Sequence, residues 1–123
     1  LKIINCKTEK EVMSIDFKQN ILGLQIIKIK STALLIIITC DNVYIYNKKT
    51  YELIKTINAP NNRWGLSAIM KSKLLLPSNE EGKVSCYELL GDKTEPIWTH
   101  KVHNHQVRWI KAVPNKNIFV TMS

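Results

Sequence analysis

The sequence holds only two arginines (Arg63 and Arg108), four glycines, four prolines and three cysteines, and its longest apolar run is Ala33 to Ile38. Each scarcity excludes something. Six apolar residues are far fewer than the roughly 20 that cross a bilayer as a helix, and no basic-then-apolar leader precedes a small-residue cleavage site. The chain is therefore expected to be soluble and intracellular, with no transmembrane segment. Cys6, Cys40 and Cys86 are widely spaced and form no CxxC, so neither a disulfide framework nor a zinc knuckle is indicated. All three are expected to be small buried hydrophobes in a reducing compartment. There is no GxSxG, no HExxH and no glycine-rich phosphate loop, which leaves catalysis without a motif and implies no cofactor. No helical apolar period persists over a dozen residues.

What remains is a globular composition, 45% hydrophobic and 23% charged over 123 residues. A chain that opens on Leu1 is expected to be a piece of a longer protein. The net charge of +8 comes from 16 lysines and favours an anionic partner, a phospholipid surface or a nucleic acid. The lysines are scattered, however, with Lys48-Lys49 the longest run, and lysine also guards exposed strand edges.

Short β-branched runs recur along the chain, each closed by turn residues. They predict strands over Leu1–Cys6, Glu11–Phe17, Ile21–Ile29, Leu34–Cys40, Asn42–Asn47 and Glu52–Ile57. Further strands are predicted over Gly65–Met70, Lys73–Pro77, Lys83–Leu89, Pro96–Val102, Gln106–Val113 and Asn117–Met122. Turn chemistry separates them at Asp41-Asn42, Asn47-Lys48-Lys49, Pro60-Asn61-Asn62, Asn79 to Gly82, Gly91-Asp92 and Pro114-Asn115. Ile21-Leu22-Gly23-Leu24, Gly65-Leu66-Ser67-Ala68 and Val107-Arg108-Trp109-Ile110 each open a similar order of strands, at an interval of roughly 40 residues. That interval is one four-stranded propeller blade. Tyr46-Asn47 and Tyr87-Glu88 fall where a WD40 repeat carries Trp-Asp.

The fold class is therefore all-β, a WD40-like β-propeller fragment of about three four-stranded blades. Residues 1–20 are read as the outer strands of one blade, 21–59 and 60–103 as full blades, and 104–123 as the inner strands of the next. A blade cannot cover both faces of its own sheet, so the stretch is expected to depend on neighbouring blades. A β-sandwich of similar length is the structural rival.

These segments resemble a family. Leu1-Lys2-Ile3-Ile4-Asn5, Ile21-Leu22-Gly23-Leu24, Asn42-Val43-Tyr44-Ile45-Tyr46-Asn47, Glu52-Leu53-Ile54-Lys55-Thr56-Ile57 and Pro60-Asn61-Asn62-Arg63-Trp64-Gly65-Leu66-Ser67-Ala68 are similar to the second and third blades of PROPPINs. Gly82-Lys83-Val84, Val102-His103-Asn104 and Val120-Thr121-Met122-Ser123 resemble later pieces of the same pattern. The resemblance implies a seven-bladed ring that binds membranes bearing phosphatidylinositol 3-phosphate or 3,5-bisphosphate and recruits an autophagy protein partner. It implies a cytoplasmic protein with peripheral membrane association. The family's Phe-Arg-Arg-Gly motif, which serves two headgroups, is not in this chain, and the segment between Ile27 and Thr32 reads as a longer turn than the family's.

By that resemblance His103, Thr121 and Ser123 are candidate phosphoinositide-binding residues, since imidazole and hydroxyl groups donate to phosphate. The alternative for His103 is that it orders the link between blades. Lys28 and Lys30, flanking Ile29 on the rim, are candidate partner-binding residues for an acidic segment, or else solvated lysines on a turn. His100, His103 and His105 lie close together, but no carboxylate completes a ligand set and no metal is expected. Trp64, Trp98 and Trp109 are read as packed aromatics of strand starts and inner strands. No nucleic acid is expected as a partner, although a basic RNA-binding module is a third reading behind the lipid-binding propeller and a generic WD40 protein–protein interaction scaffold without lipid binding.

Overall fold

The computed structural model describes residues 1–60, 65–78 and 82–123. Asn61, Asn62, Arg63, Trp64 and Asn79, to which the sequence reading gave turn or packing roles, lie outside the described residues. Twelve strands follow in order: β1 (Lys2–Ile4), β2 (Glu11–Ser14), β3 (Ile21–Ile29), β4 (Thr32–Thr39), β5 (Asn42–Asn47) and β6 (Leu53–Asn58), then β7 (Ala68–Met70), β8 (Lys73–Pro77), β9 (Lys83–Glu88), β10 (Trp98–Lys101), β11 (Trp109–Ala112) and β12 (Phe119–Met122). They form two four-stranded antiparallel meanders, β3-β4-β5-β6 and β7-β8-β9-β10, flanked by the pairs β1-β2 and β11-β12. All twelve predicted strands are present, several of them shorter than predicted because turns and links take their ends.

β4 explains why these sheets stack. Its sequence, Thr-Ala-Leu-Leu-Ile-Ile-Ile-Thr, is apolar at successive positions instead of alternating, as a strand covered on both faces requires. Leu34, Ile36 and Ile38 point one way and join Val43, Ile45 and Ile57 against Leu74, Leu76, Tyr87 and Leu89 of the next sheet. Leu35 and Ile37 point the other way with Tyr46 and meet Ile3, Ile15 and Phe17 beside the β1-β2 pair. A third layer packs Leu75, Val84 and Cys86 against Val107 and Ile110. Each sheet is thus closed by its neighbours and by no layer of its own.

Glycine makes the closest approach between units. A Cβ on Gly23 would run into the Gly65 carbonyl, and Gly65 itself has φ +62 with the Leu22 carbonyl against it. Only hydrogen fits at both positions.

Two turns repeat one another closely. The Asn5 Oδ1 accepts from the Lys7 and Thr8 amides, and the Asn47 Oδ1 accepts from those of Lys49 and Thr50. Thr8 and Thr50 each accept from the amide two residues on, and Glu9 and Tyr51 each take a positive φ. Asn-x-Lys-Thr is the recurring unit, with asparagine bridging the turn through its own side chain.

Three expectations need correction. Cys6 and Cys40 are exposed, because they sit at the turns that end β1 and β4, and only Cys86 is buried. The segment after Ile27 is no long turn: β3 continues to Ile29, which pairs with Thr32 across a two-residue loop, Lys30-Ser31. Lys28 accordingly lies within β3, opposite Ala33, and Lys30 occupies the loop. Trp109 is not a packed ring; it stays 39% exposed at the start of β11.

Candidate functional site

The segment after β10 is shaped by Gly82. The amides of Val102 and His103 both donate to the Gly82 carbonyl, at 2.9 and 3.2 Å. Gly82 has φ +64, and a Cβ there would run into the carbonyl oxygens of His103 and His105. A residue with a side chain would push this segment off its strand. Further along, the buried Val107 and Ile110 fix β11, and the Arg108 amide donates to the Met122 carbonyl at 2.8 Å. The β11-β12 pair is therefore held at a set distance from His103.

These supports bring two of the expected residues together. His103 Nε2 and Thr121 Oγ1 are 2.9 Å apart, both half-buried. Which group donates depends on the imidazole tautomer. Beside them is an open cavity of about 350 Å³ lined by Lys101, Val102, His103 and Asn104. The His103 imidazole and the exposed Lys101 on that wall are of a kind suited to phosphate oxygens, and Thr121 is engaged with His103 behind it. Ser123 is exposed, just past the end of β12, and no contact joins it to His103 among the described residues. His100 is engaged elsewhere, 4.9 Å from the Trp98 ring centre, while Trp98 stacks on Phe119 at 6.0 Å. Among the described residues no three His, Cys, Asp or Glu side chains converge as a metal site would require.

Lys28 and Lys30 are both exposed. Lys30 holds φ +55 at the hairpin tip, so its side chain leaves the sheet end and stands in solvent.

The sequence reading missed Lys55. It is buried, and its ammonium donates to the carbonyls of Glu88 and Lys93 at 2.6 and 2.7 Å, reaching from β6 of one sheet to the β9–β10 turn of the next. Burial lowers its pKa below the usual lysine value, and the nearby Glu88 and Asp92 carboxylates pull it partly back up. A cavity of about 520 Å³ lies alongside, lined by residues that include Glu88, Asp92, Lys93 and Glu95. The signal was in the alternation of β6: if Ile57 faces the core, Lys55 two residues earlier must share its face.

Two four-stranded meanders stacked face to face, covered on their outer sides by the β1-β2 and β11-β12 pairs, define a piece of a WD40-like β-propeller. A propeller chain in the crystal structure of the mitotic checkpoint complex is similar, with a TM-score of 0.67 over 89% of this chain at 14% identity. At that identity the likeness is one of fold. This chain spans about a third of the length of that solved chain, 33%. No protein-family model matches the sequence. No helix among the described residues is long and apolar enough to cross a membrane.

Proposed function

We propose that this chain is part of an interaction platform that binds a phosphorylated inositol headgroup at His103 and Thr121 and holds a protein partner at the membrane. The observation that carries the reading is the 2.9 Å pairing of His103 with Thr121 beside an open cavity that also has Lys101 on its wall. The sequence likeness to PROPPINs supplies the headgroup class, phosphatidylinositol 3-phosphate or 3,5-bisphosphate, and autophagy as the setting. In this reading residues 21–59 and 60–103 are whole repeats, flanked by the partial repeats 1–20 and 104–123. Ser123 lies beside the headgroup, and the protein associates peripherally with a membrane from the cytoplasm.

Vesicle flotation of the full-length protein tests it. Vesicles carrying 3-phosphorylated inositol lipid should float the protein, vesicles with unphosphorylated phosphatidylinositol should not, and His103→Ala or Thr121→Val should reduce flotation. Flotation indifferent to the 3-phosphate, or unchanged in both variants, refutes it. The second reading is a protein–protein scaffold without lipid binding, favoured by the fold itself; it requires that no vesicle of this series float the protein.

A further inference from the structure

The six turns β1–β2, β3–β4, β5–β6, β7–β8, β9–β10 and β11–β12 all lie at one end of the stacked sheets. Antiparallel meanders place every second turn of a sheet at the same end, the Lys55 ammonium of β6 links that end to the Lys93 carbonyl in the β9–β10 turn of the next sheet at 2.7 Å, and one contact inside each four-stranded sheet joins its own end. The Lys48 amide donates to the Ala33 carbonyl at 2.9 Å, and the Leu89 amide donates to the Ser72 carbonyl at 3.0 Å. Each of the six carries an exposed lysine: Lys7, Lys30, Lys48, Lys71, Lys93 and Lys116. With Lys10 and Lys49 that makes eight lysines against the four carboxylates Glu9, Glu52, Asp92 and Glu95. The connections at the opposite end are balanced among the described residues, Lys18 and Arg108 against Asp16 and Asp41. Lysines that look scattered along the sequence are gathered by topology onto one face.

We infer that this face docks an acidic protein segment. Opposite charge spread over several blades steers such a segment and sets its register. The face has no arginine, and its one aromatic ring, Tyr51, is half-buried, so it offers neither the forked donors nor the stacking platform that nucleic acids use. The interspersed carboxylates would oppose a uniformly anionic bilayer, whereas a peptide can contact some tips and avoid others. The His103 cavity lies at the other strand ends, so a membrane bound there leaves this face free; that clause alone rests on the headgroup reading.

The test uses the full-length protein and a labelled peptide alternating Glu and Ser, with a single-stranded oligonucleotide and phosphatidylserine vesicles free of phosphoinositide as comparison probes. The peptide should bind at low salt. The combined Lys30→Glu, Lys48→Glu and Lys71→Glu protein should bind it about tenfold or more weaker. The milder set Lys30→Gln, Lys48→Gln and Lys71→Gln should lose an intermediate amount, and His103→Ala should leave peptide binding unchanged. Peptide binding that is absent, or insensitive to both lysine sets, overturns the inference. So does tip-dependent binding of the oligonucleotide or vesicles that exceeds peptide binding.

Discussion

Lys55 gives the sharpest test of how adjacent blades are joined. Its ammonium bridges two carbonyls of the next sheet and its stem crosses the interface, so Lys55→Ala removes both. Each carbonyl left without a donor costs about 1–3 kcal/mol; the neighbouring cavity lets water reach them, which favours the low end, about 2 kcal/mol for the pair. Loss of three buried methylenes adds about 2 kcal/mol at ~0.8 each. Lys55→Ala should therefore destabilise by about 4 kcal/mol in urea unfolding. Lys55→Met keeps the stem and removes a buried charge, so its cost should be below about 2 kcal/mol.

The pH dependence has a definite sign. The folded pKa of Lys55 lies below the usual 10.5, so between the two values the unfolded chain binds more protons. Stability from Lys55 is full above 10.5 and is lost as pH falls through the folded pKa. The gap between wild type and Lys55→Met should widen as pH rises toward 10.5. Cys86, Tyr87 and Tyr46, whose pKa values burial raises, act in the opposite sense, losing stability as pH climbs through their unfolded values. They are common to both proteins and cancel in the difference. A Lys55→Ala cost under about 1 kcal/mol refutes the bridge, and a gap that narrows with pH refutes the dominance of desolvation over the carbonyl and carboxylate partners.

Two further outcomes follow from the turns. Gly82→Ala should cost more stability than Gly91→Ala, because both positions have positive φ, worth about 1–2 kcal/mol, but only Gly82 also meets the His103 and His105 carbonyls while Gly91 has open space. The same variant should separate His103 from Thr121, seen as a change in the imidazole NMR signals of His103; equal costs at the two glycines would contradict the close approach. Asn47→Ala should lower stability by about 1 kcal/mol in thermal or urea unfolding, since the Lys49 and Thr50 amides lose their acceptor, and Asn47→Asp should recover most of it.

The strands were legible because burial on both faces leaves an unusual mark. An exposed sheet face writes alternation into its strands, and Leu34 through Ile38 carry none, so the neighbours that cover β4 are implied by β4 itself. The His103–Thr121 pairing was legible only as two separate matches, because the contact spans 18 residues and depends on Gly82 shaping the intervening segment. Lys55 was hidden by residue type: lysine is usually read as exposed, and here its partners are backbone carbonyls, which have no residue identity to recognise. The turn lysines were hidden by order. Positions as distant as Lys7 and Lys116 share a face only once every second turn is known to lie at the same end, so charge counted along the chain looked dispersed. In a meander, surface charge has to be counted by turn parity before it is averaged over sequence.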